Sequence, residues 1–171
     1  MAIIEELYFA LPFYISNMTP VFVKKLNILN YPINKKLFGE NKTVRGFVSA
    51  ILISILFFYI QSYLFRFDFI KKISLIDYSQ INIFLIGFLG GLGTIGGDLI
   101  KSFFKRRRKI KPGESWIPFD QLDFMFGALL LINPLVKLRL GSIVILFIIT
   151  PILHISANHI GYYLGLRNTK W

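Results

Sequence analysis

Long apolar stretches follow one another along the chain, and they limit its possible folds more than any other feature of the sequence. They cover residues 7–23, 47–65, 81–100, 124–136 and 140–166. A helix that spans a bilayer needs about 20 mostly apolar residues, and only helices and closed barrels satisfy their backbone hydrogen bonds in lipid. These stretches predict an all-α integral membrane protein with about five transmembrane helices.

The composition agrees with a membrane protein. Of the 171 residues, 54% are hydrophobic and only 17% are charged, whereas soluble domains carry about 25% charged residues. An ordinary soluble globule and a disordered chain are both disfavoured. Because no repeat or linker interrupts the chain, we expect residues 1–171 to form a single membrane-embedded domain. The fourth stretch is short, so we expect its helix to include residues 121–123 and 138–140.

Basic residues are concentrated in particular connections. The net charge is +11, with 20 Lys and Arg against nine Asp and Glu. With five spans, the connections after the first and third stretches and the C-terminal tail share one side, and they hold 15 of the 20 basic residues. The positive-inside rule places that side in the cytosol. We therefore expect a multi-pass protein of the cell membrane, with its N-terminus outside and its C-terminus cytosolic.

Three aspartates are predicted to lie at the cytosolic boundary. Asp98 lies near the inner end of the third stretch, and Asp120 and Asp123 precede the fourth, three residues apart on one helical face. Carboxylates near a membrane are costly and usually functional, and Mg²⁺ prefers carboxylate oxygens. We interpret the three as a candidate Mg²⁺ site, the alternative being that each caps a helix or pairs with a nearby Lys or Arg.

Two polar segments on the same side are candidate phosphate sites. The basic run at 105–109 suits a phosphate cradle, a topology signal or a contact with anionic lipid. The segment 39–46 holds Asn41, Lys42 and Thr43 between two glycines. It suits a loop that wraps an anion, or equally a plain helix entry with Asn41 or Thr43 as N-cap.

Glycines in the third stretch allow two interpretations. Residues 91–96 read Gly-Leu-Gly-Thr-Ile-Gly, the spacing of a dinucleotide-binding loop, but that loop must follow a strand and a helix is predicted here. The pairs Gly87/Gly91 and Gly93/Gly97 have the four-residue spacing that lets helices approach closely. We favour helix packing. In the last stretch, we interpret the polar residues as structural or substrate-lining: His154, Asn158 and His159.

The block that carries the aspartates resembles the signature of the CTP-dependent phosphatidate cytidylyltransferase family. Residues 97–106 read Gly-Asp-Leu-Ile-Lys-Ser-Phe-Phe-Lys-Arg, and residues 118–123 read Pro-Phe-Asp-Gln-Leu-Asp. The resemblance implies that the three aspartates are catalytic and hold Mg²⁺ at a nucleotide triphosphate. It implies phosphate contacts by Ser102, Lys105, Arg106 and Lys111.

The sequence departs from the bacterial members of that family and is similar to its archaeal branch, the CDP-archaeol synthases. Pro112 stands where the bacterial members have Asp, and Gln121 stands where they have Arg. Residues 38–46 fit the archaeal F-G-x-N-K-T-x-x-G loop, which implies CTP contacts by Asn41, Lys42 and Thr43. The Asn17-x-x-Pro20 element and the ending from His154 to Trp171 also fit.

The resemblance implies an enzyme of archaeal phospholipid biosynthesis. It would transfer CMP from CTP to 2,3-bis-O-geranylgeranyl-sn-glycerol 1-phosphate, giving unsaturated CDP-archaeol and diphosphate at a site that faces the cytosol. The expected partners are CTP, the isoprenoid ether-lipid phosphate and the bilayer, with no nucleic acid.

Two alternatives stay open at this point. A CTP-dependent polyprenol or dolichol kinase would transfer the γ-phosphate instead. A non-catalytic lipid-binding or anion-binding membrane protein, or a small anion transporter, would line a mid-membrane path with charged residues. The clustering of the aspartates at one boundary argues against that second alternative.

Overall fold

The chain is all-helical in the computed structural model, which describes residues 2–111 and 114–163. Within those residues the α-helices are α1 Ala2–Phe22, α2 Lys35–Phe38, α3 Val44–Leu64, α4 Asp68–Lys72, α5 Ile83–Arg107, α6 Phe119–Val136 and α7 Leu140–Tyr163. Short 3-10 helices at Val23–Lys25 and Tyr78–Gln80 lie in the connections. Between Ala2 and Tyr163 the described backbone forms no β-strand, apart from an isolated bridge between Pro32 and Thr43.

Four of the described helices are long and apolar enough to cross a membrane. They are α3, α5, α6 and residues Leu140–Ile160 of α7. The prediction of an all-α integral membrane protein is therefore confirmed. Helix α1 also has 21 residues, but it is less apolar because it carries Glu5, Glu6 and Asn17. The fifth span and the orientation in the membrane stay predictions.

The apolar core lies where α1, α3, α5, α6 and α7 meet. Phe13 stands between two other rings of this core, with its centroid 5.7 Å from that of Phe9 and 5.6 Å from that of Phe58. The largest fully buried apolar side chains include Phe124, Ile86, Met125, Ile132 and Leu146. Other large apolar side chains on the same helices are exposed, which suits a surface that contacts lipid.

Helix α5 is the central helix, since it packs against α6, α3 and α1. Asn82 caps its first turn by accepting a hydrogen bond from the Leu85 backbone N–H at 3.0 Å. The helix runs for 25 residues, which is about 37 Å and longer than the hydrocarbon core of a bilayer. Because α5 ends only at Arg107, the basic residues from Lys101 to Arg107 are helical. The prediction that they lie in a connection after the third span was wrong.

Two glycines of α5 allow it to lie against α3. A Cβ atom added at Gly87 would lie 2.7 Å from the Cα of Ile55, and one at Gly91 would lie 2.7 Å from the Cα of Ile51. Real Cβ atoms do not approach a backbone this closely, so neither position accepts a side chain unless the helices move apart. The interpretation of this pair as a packing motif is confirmed.

The other glycine pair of α5 faces α6. A Cβ atom at Gly93 would overlap the carbonyl oxygen of Gly127, and one at Gly97 would overlap the carbonyl oxygen of Asp123. The glycine-rich segment is thus a helix surface that meets two neighbours. Its position inside α5, with no preceding strand in the described chain, excludes the dinucleotide-loop interpretation.

Helix α6 begins and ends at defined positions. It starts at Phe119, so the predicted extension through residues 121–123 is confirmed. It does not extend through residues 138–140, because Lys137 adopts a left-handed conformation with φ 47°. The Leu138 N–H then donates to the Asn133 side-chain oxygen at 3.0 Å. A left-handed residue at this point is a common helix stop, and α7 begins after it.

Candidate active site

The three predicted aspartates meet at one end of the helices, around a single ammonium group. The Lys101 Nζ lies 3.0 Å from Oδ1 of Asp98, 3.2 Å from Oδ1 of Asp120 and 2.7 Å from Oδ2 of Asp123. We call these three carboxylates the aspartate cluster. The structure therefore brings together the residues that the sequence placed on two different helices.

Local geometry explains why they meet. Asp98 and Lys101 are one turn apart on α5, and Asp120 and Asp123 are one turn apart at the start of α6. Residues three or four apart share a helix face. Because Gly97 allows α5 to touch the α6 backbone at Asp123, the two faces come within ion-pair distance.

Two further lysines form ion pairs with aspartates of the cluster. Lys42, from the connection before α3, forms an ion pair with the second oxygen of Asp98. Lys105 lies one turn beyond Lys101, and its Nζ is 3.1 and 3.0 Å from the two carboxylate oxygens of Asp120. Three carboxylates thus contact three ammonium groups.

The connection before α6 holds Asp120 and Lys105 in place. The backbone N–H of Trp116 donates to Oδ2 of Asp120 at 2.5 Å. Lys105 donates to the carbonyl oxygen of Glu114 at 2.5 Å. These contacts tie a polar connection to the ends of α5 and α6, so both charged side chains are oriented by more than one partner.

The cluster is shielded from solvent. Only 6% of the Asp123 side chain is exposed, against 13% for Asp98 and 14% for Lys101. Charges at such positions interact more strongly than charges in water, and each is costly unless it is paired. The pairing alternative considered for the aspartates is therefore realised in this conformation, and Lys101 is their shared partner.

A basic cavity of about 140 Å³ adjoins the aspartate cluster. Its lining is formed by Phe38, Gly39, Glu40, Asn41, Lys42, Lys101, Ser102, Lys105 and Arg106. Ser102 is only 5% exposed, and the Nε atom of Arg106 is buried without a hydrogen-bond partner among the described residues. Most of the predicted phosphate contacts therefore lie around one space.

One acid lies at the same cavity. Glu40 is largely exposed and pairs with Lys35 at 2.5 Å. The hydrogen bond and charge of Lys35 hold the pKa of the Glu40 carboxyl below its usual value. With its charge matched by Lys35, Glu40 leaves the cavity predominantly basic.

Two predicted contacts lie away from the basic cavity. The Thr43 hydroxyl accepts a hydrogen bond from the Gly46 N–H at 3.2 Å and caps α3, and Thr43 borders a smaller neighbouring space of about 30 Å³. Lys111 is exposed, and its backbone N–H donates to the Glu114 carboxylate at 2.9 Å. Their substrate contacts stay predictions.

Lys101 was not predicted from the sequence, although it is the centre of the site. The signature that identified its neighbours treats its position as variable. A usable signal was its spacing of three residues from Asp98, since this spacing places both on one helix face. Spacing alone, however, could not show that two aspartates of α6 would share the same lysine.

An apolar groove of about 440 Å³ opens on the other side of the cluster, between α5, α6 and α7. Its lining is formed by Gly97, Ile100, Lys101, Phe104, Trp116, Phe119, Leu122, Asp123, Phe126, Gly127, Leu130 and Phe147. Lys101 and Asp123 are its charged lining residues. Lys101 therefore borders both the basic cavity and the apolar groove.

The donor chemistry of the cluster suits a hard divalent cation, because Mg²⁺ prefers carboxylate oxygens. The spacing of the carboxylates in this conformation does not suit a divalent cation. Within residues 2–111 and 114–163, no three His, Asp or Glu side chains are arranged to hold a metal ion directly. In this conformation the Lys101 ammonium occupies the space between the three carboxylates.

The polar residues of α7 make local contacts. Asn158 Nδ2 lies 3.4 Å from His154 Nδ1, and His159 Nδ1 lies 2.9 Å from the Ile155 carbonyl oxygen. These contacts agree with a structural interpretation of both histidines. Pro112 and the end of the predicted C-terminal motif, residues 164–171, lie outside the described residues.

Together, the fold and site define a class of protein: a helical membrane protein with a largely buried carboxylate cluster, a basic cavity and an apolar groove at one end. The family model described as "CarS-like: CDP-archaeol synthase" matches residues 1–171. The chain therefore belongs to the CDP-archaeol synthase family, and the family resemblance seen in the sequence is confirmed.

Relatives match over most of their length. A CDP-archaeol synthase of Methanospirillum hungatei is 36% identical over 149 residues, which cover 83% of this chain and 86% of that protein. One of Thermofilum pendens is 32% identical, covering 98% and 80%. One of Pyrococcus furiosus is 28% identical, covering 99% and 98%.

A solved structure also matches the fold. It is reported as an intramembrane enzyme for archaeal membrane lipid biosynthesis, with a TM-score of 0.66 and 25% sequence identity. The match covers 91% of this chain and 94% of that one. The architecture of this chain is therefore similar to that of an intramembrane enzyme.

Proposed function

We propose that this protein transfers CMP from CTP to an isoprenoid ether-lipid phosphate, 2,3-bis-O-geranylgeranyl-sn-glycerol 1-phosphate, giving unsaturated CDP-archaeol and diphosphate. The observation that carries the proposal is the meeting of the aspartate cluster, the basic cavity and the apolar groove at Lys101. A water-soluble triphosphate and a membrane lipid need two such different surfaces beside one reaction centre. Membership in the CDP-archaeol synthase family supports the same reaction.

The basic cavity is the proposed site of the CTP phosphates. Lys42 and Lys105 border it as ammonium groups, and Arg106 adds a guanidinium that can form paired hydrogen bonds with phosphate oxygens. The Ser102 hydroxyl adds a donor. Asn41, Thr43 and Lys111 are further proposed contacts, on the basis of the family resemblance.

The apolar groove is the proposed site of an isoprenoid chain of the lipid. Aromatic and aliphatic side chains of α5, α6 and α7 line it, and its charged lining residues belong to the cluster. A lipid whose chain lies along this groove would have its phosphate beside Lys101. Several apolar side chains of its lining are exposed, among them Phe104, Phe126 and Leu130, which suits lateral entry from the bilayer.

In the proposed reaction the two substrates react directly with each other, so the protein has little bond chemistry to perform. An oxygen of the lipid phosphate attacks the α-phosphorus of CTP, a new P–O bond forms, and the bond to the bridging oxygen of the β-phosphate breaks. Diphosphate leaves with the electron pair of that bond. The lysines and Arg106 lower the repulsion between two anionic substrates and hold them in line, so catalysis is mainly positioning and charge neutralisation.

Mg²⁺ is the proposed cofactor, held by Asp98, Asp120 and Asp123. When bound, it would supply a positive charge that stabilises triphosphate oxygens and the leaving diphosphate. The carboxylates are the residues of this site whose chemistry suits it. Their pairing with Lys101 holds all three close to one point.

We also propose that the site faces the cytosol and that residues 1–171 act as one cytidylyltransferase domain. The side that carries the site is the side with 15 of the 20 basic residues in the five-span arrangement, and this bias supports a cytosolic location. CTP is a cytosolic metabolite in any cell, so the same location suits the substrate.

One labelling experiment tests the reaction. Purified protein in vesicles is incubated with Mg²⁺, [α-³²P]CTP and either the geranylgeranyl ether phosphate or diacyl phosphatidate. We expect label in the ether lipid and none when EDTA is present. Label in neither lipid would contradict the proposal, and label in the diacyl lipid alone would assign the protein to the bacterial-type reaction. Lipid labelled from [γ-³²P]CTP but not from the α-label would identify a kinase.

A further inference from the structure

Lys101 contacts more parts of the site than either of the other two lysines does. Its ammonium touches all three carboxylates of the aspartate cluster at 2.7 to 3.2 Å. The same residue lines the basic cavity and the apolar groove. It therefore lies between the proposed place of the metal ion and the proposed places of both substrate phosphates.

The other two lysines do not share this position. Lys42 pairs with Oδ2 of Asp98, the oxygen that Lys101 does not contact, and Lys105 pairs with Asp120 and is also held by the Glu114 carbonyl oxygen. Of the three lysines that contact the cluster, Lys101 alone pairs with Asp123. It occupies the space that all three carboxylates face.

A divalent cation and an ammonium group cannot both occupy that space. Both carry positive charge and both use the same carboxylate oxygens, and their repulsion is strong where little solvent reaches. Lysine has a flexible stem of four methylene groups, so its ammonium can move several ångströms without a change in the backbone. The basic cavity and the groove, which Lys101 already lines, are the places to which it can move.

We propose that Lys101 is a positioning residue that exchanges partners. In the free enzyme it acts as the built-in counter-ion that holds the three carboxylates together, and it turns to a substrate phosphate when a divalent ion takes its place. This inference rests on the proposed function. It follows that divalent metal binds weakly to the free protein and much more tightly once a triphosphate offers Lys101 a new partner.

The test measures metal binding without turnover. Mn²⁺ is titrated into purified protein without nucleotide, and free Mn²⁺ is followed by electron paramagnetic resonance. We expect Lys101→Met to bind Mn²⁺ more tightly than the wild type, by about tenfold or more, because the competing charge is gone. Lys25→Met removes an exposed cation from the same end of the molecule, outside the basic cavity and the apolar groove, and we expect it to bind Mn²⁺ as the wild type does.

The titration is repeated with a non-hydrolysable CTP analogue. The analogue should raise the Mn²⁺ affinity of the wild type more than that of Lys101→Met, because only the wild type has an ammonium to move. Lys101→Gln serves as a second variant, since it removes the charge but keeps a hydrogen-bond donor for the carboxylates. Circular dichroism melts show which variants are folded.

The outcomes separate this inference from the proposed function. If folded Lys101 variants bind Mn²⁺ no more tightly than the wild type without nucleotide, Lys101 is only a structural ion-pair partner and the inference is overturned. If neither wild type nor variants bind Mn²⁺ even with the analogue, the metal site of the proposed function fails as well. A lipid that is still labelled in EDTA would lead to that second conclusion independently.

Discussion

Asp123 is the least exposed carboxylate of the site, with 6% of its side chain exposed, and it pairs with Lys101 at 2.7 Å. Replacement by Asn keeps the shape of the side chain but removes its charge. We expect Asp123→Asn to lower CMP transfer by about 100-fold or more, because one charged ligand of the proposed metal site is lost. The measurement is label transferred from [α-³²P]CTP to the ether lipid.

Asp77→Asn is the matched control. Asp77 is exposed at the opposite end of the helices, where its carboxylate accepts a hydrogen bond from the Ser79 N–H at 2.9 Å, and an Asn side chain can accept the same bond. We expect its turnover to equal that of the wild type. Unchanged turnover in a folded Asp123→Asn protein would remove Asp123 from the proposed metal site.

At the scale of single residues, the sequence indicated the carboxylates but not their partner. Asp98, Asp120 and Asp123 stand out because the chain has only nine acidic residues and carboxylates near a membrane are costly. Lys101 does not stand out, because it is one of several cations that follow the third apolar stretch. Its role depends on which face of α5 meets α6, and this is a property of packing.

The contact between α5 and α6 gives a prediction at the scale of helices. A Cβ atom at Gly97 would overlap the Asp123 carbonyl oxygen, whereas one at Gly96 would have no atom within 4 Å. We expect Gly97→Ala to destabilise the protein by about 1–3 kcal/mol, because an extra methyl group forces the two helices apart. The measurement is the midpoint of thermal unfolding in detergent.

Gly96→Ala is the neighbouring comparison on the same helix. Alanine favours a helix over glycine by about 1 kcal/mol, and nothing opposes the methyl group at this position. We expect an unfolding midpoint equal to or above that of the wild type. Equal midpoints for Gly96→Ala and Gly97→Ala would show that the close approach of α5 and α6 does not contribute to stability.

The sequence predicted the presence of the long helices better than it predicted the residues at which they end. The apolar stretches located α3, α5, α6 and α7, since each is long enough to span a membrane. The end of α5 was missed because hydropathy falls at Lys101 while helical hydrogen bonding continues to Arg107. The end of α6 was missed because nothing in the sequence marked Lys137 as a left-handed residue.

The orientation in the membrane is a prediction about the whole molecule. The chain contains no cysteine, so single cysteines can be introduced at exposed positions without background. We expect Lys36→Cys to react with a membrane-impermeant maleimide in inside-out vesicles only, because it lies in the connection that carries Lys42 of the site. Lys72→Cys, in the connection between α3 and α5, should react in right-side-out vesicles only.

Other labelling patterns have clear meanings. Reaction of both cysteines from the same side would contradict the passage of α3 through the membrane, because α3 separates the two positions. The reverse pattern would place the site outside the cell, where CTP is not available, and would contradict the proposed cytosolic location.

The sequence by itself determined that the protein lies in a membrane and that its secondary structure is helical. Hydropathy and helical spacing depend on residues that are close along the chain, so they predicted membrane helices, close-packing glycines and three aspartates at one boundary. The family motif added the reaction, and the comparisons agree with it.

Only the tertiary structure decided how the charges pair. Lys42 meets Asp98 across 56 residues of sequence, and Lys101 meets Asp120 and Asp123 across a connection between two helices. These pairings exist because α5 approaches α6 at Gly97 and the connection before α3 folds over the end of α5. Contacts between distant segments depend on packing in three dimensions, which local pattern does not encode, and so the shared role of Lys101 became visible only in the fold.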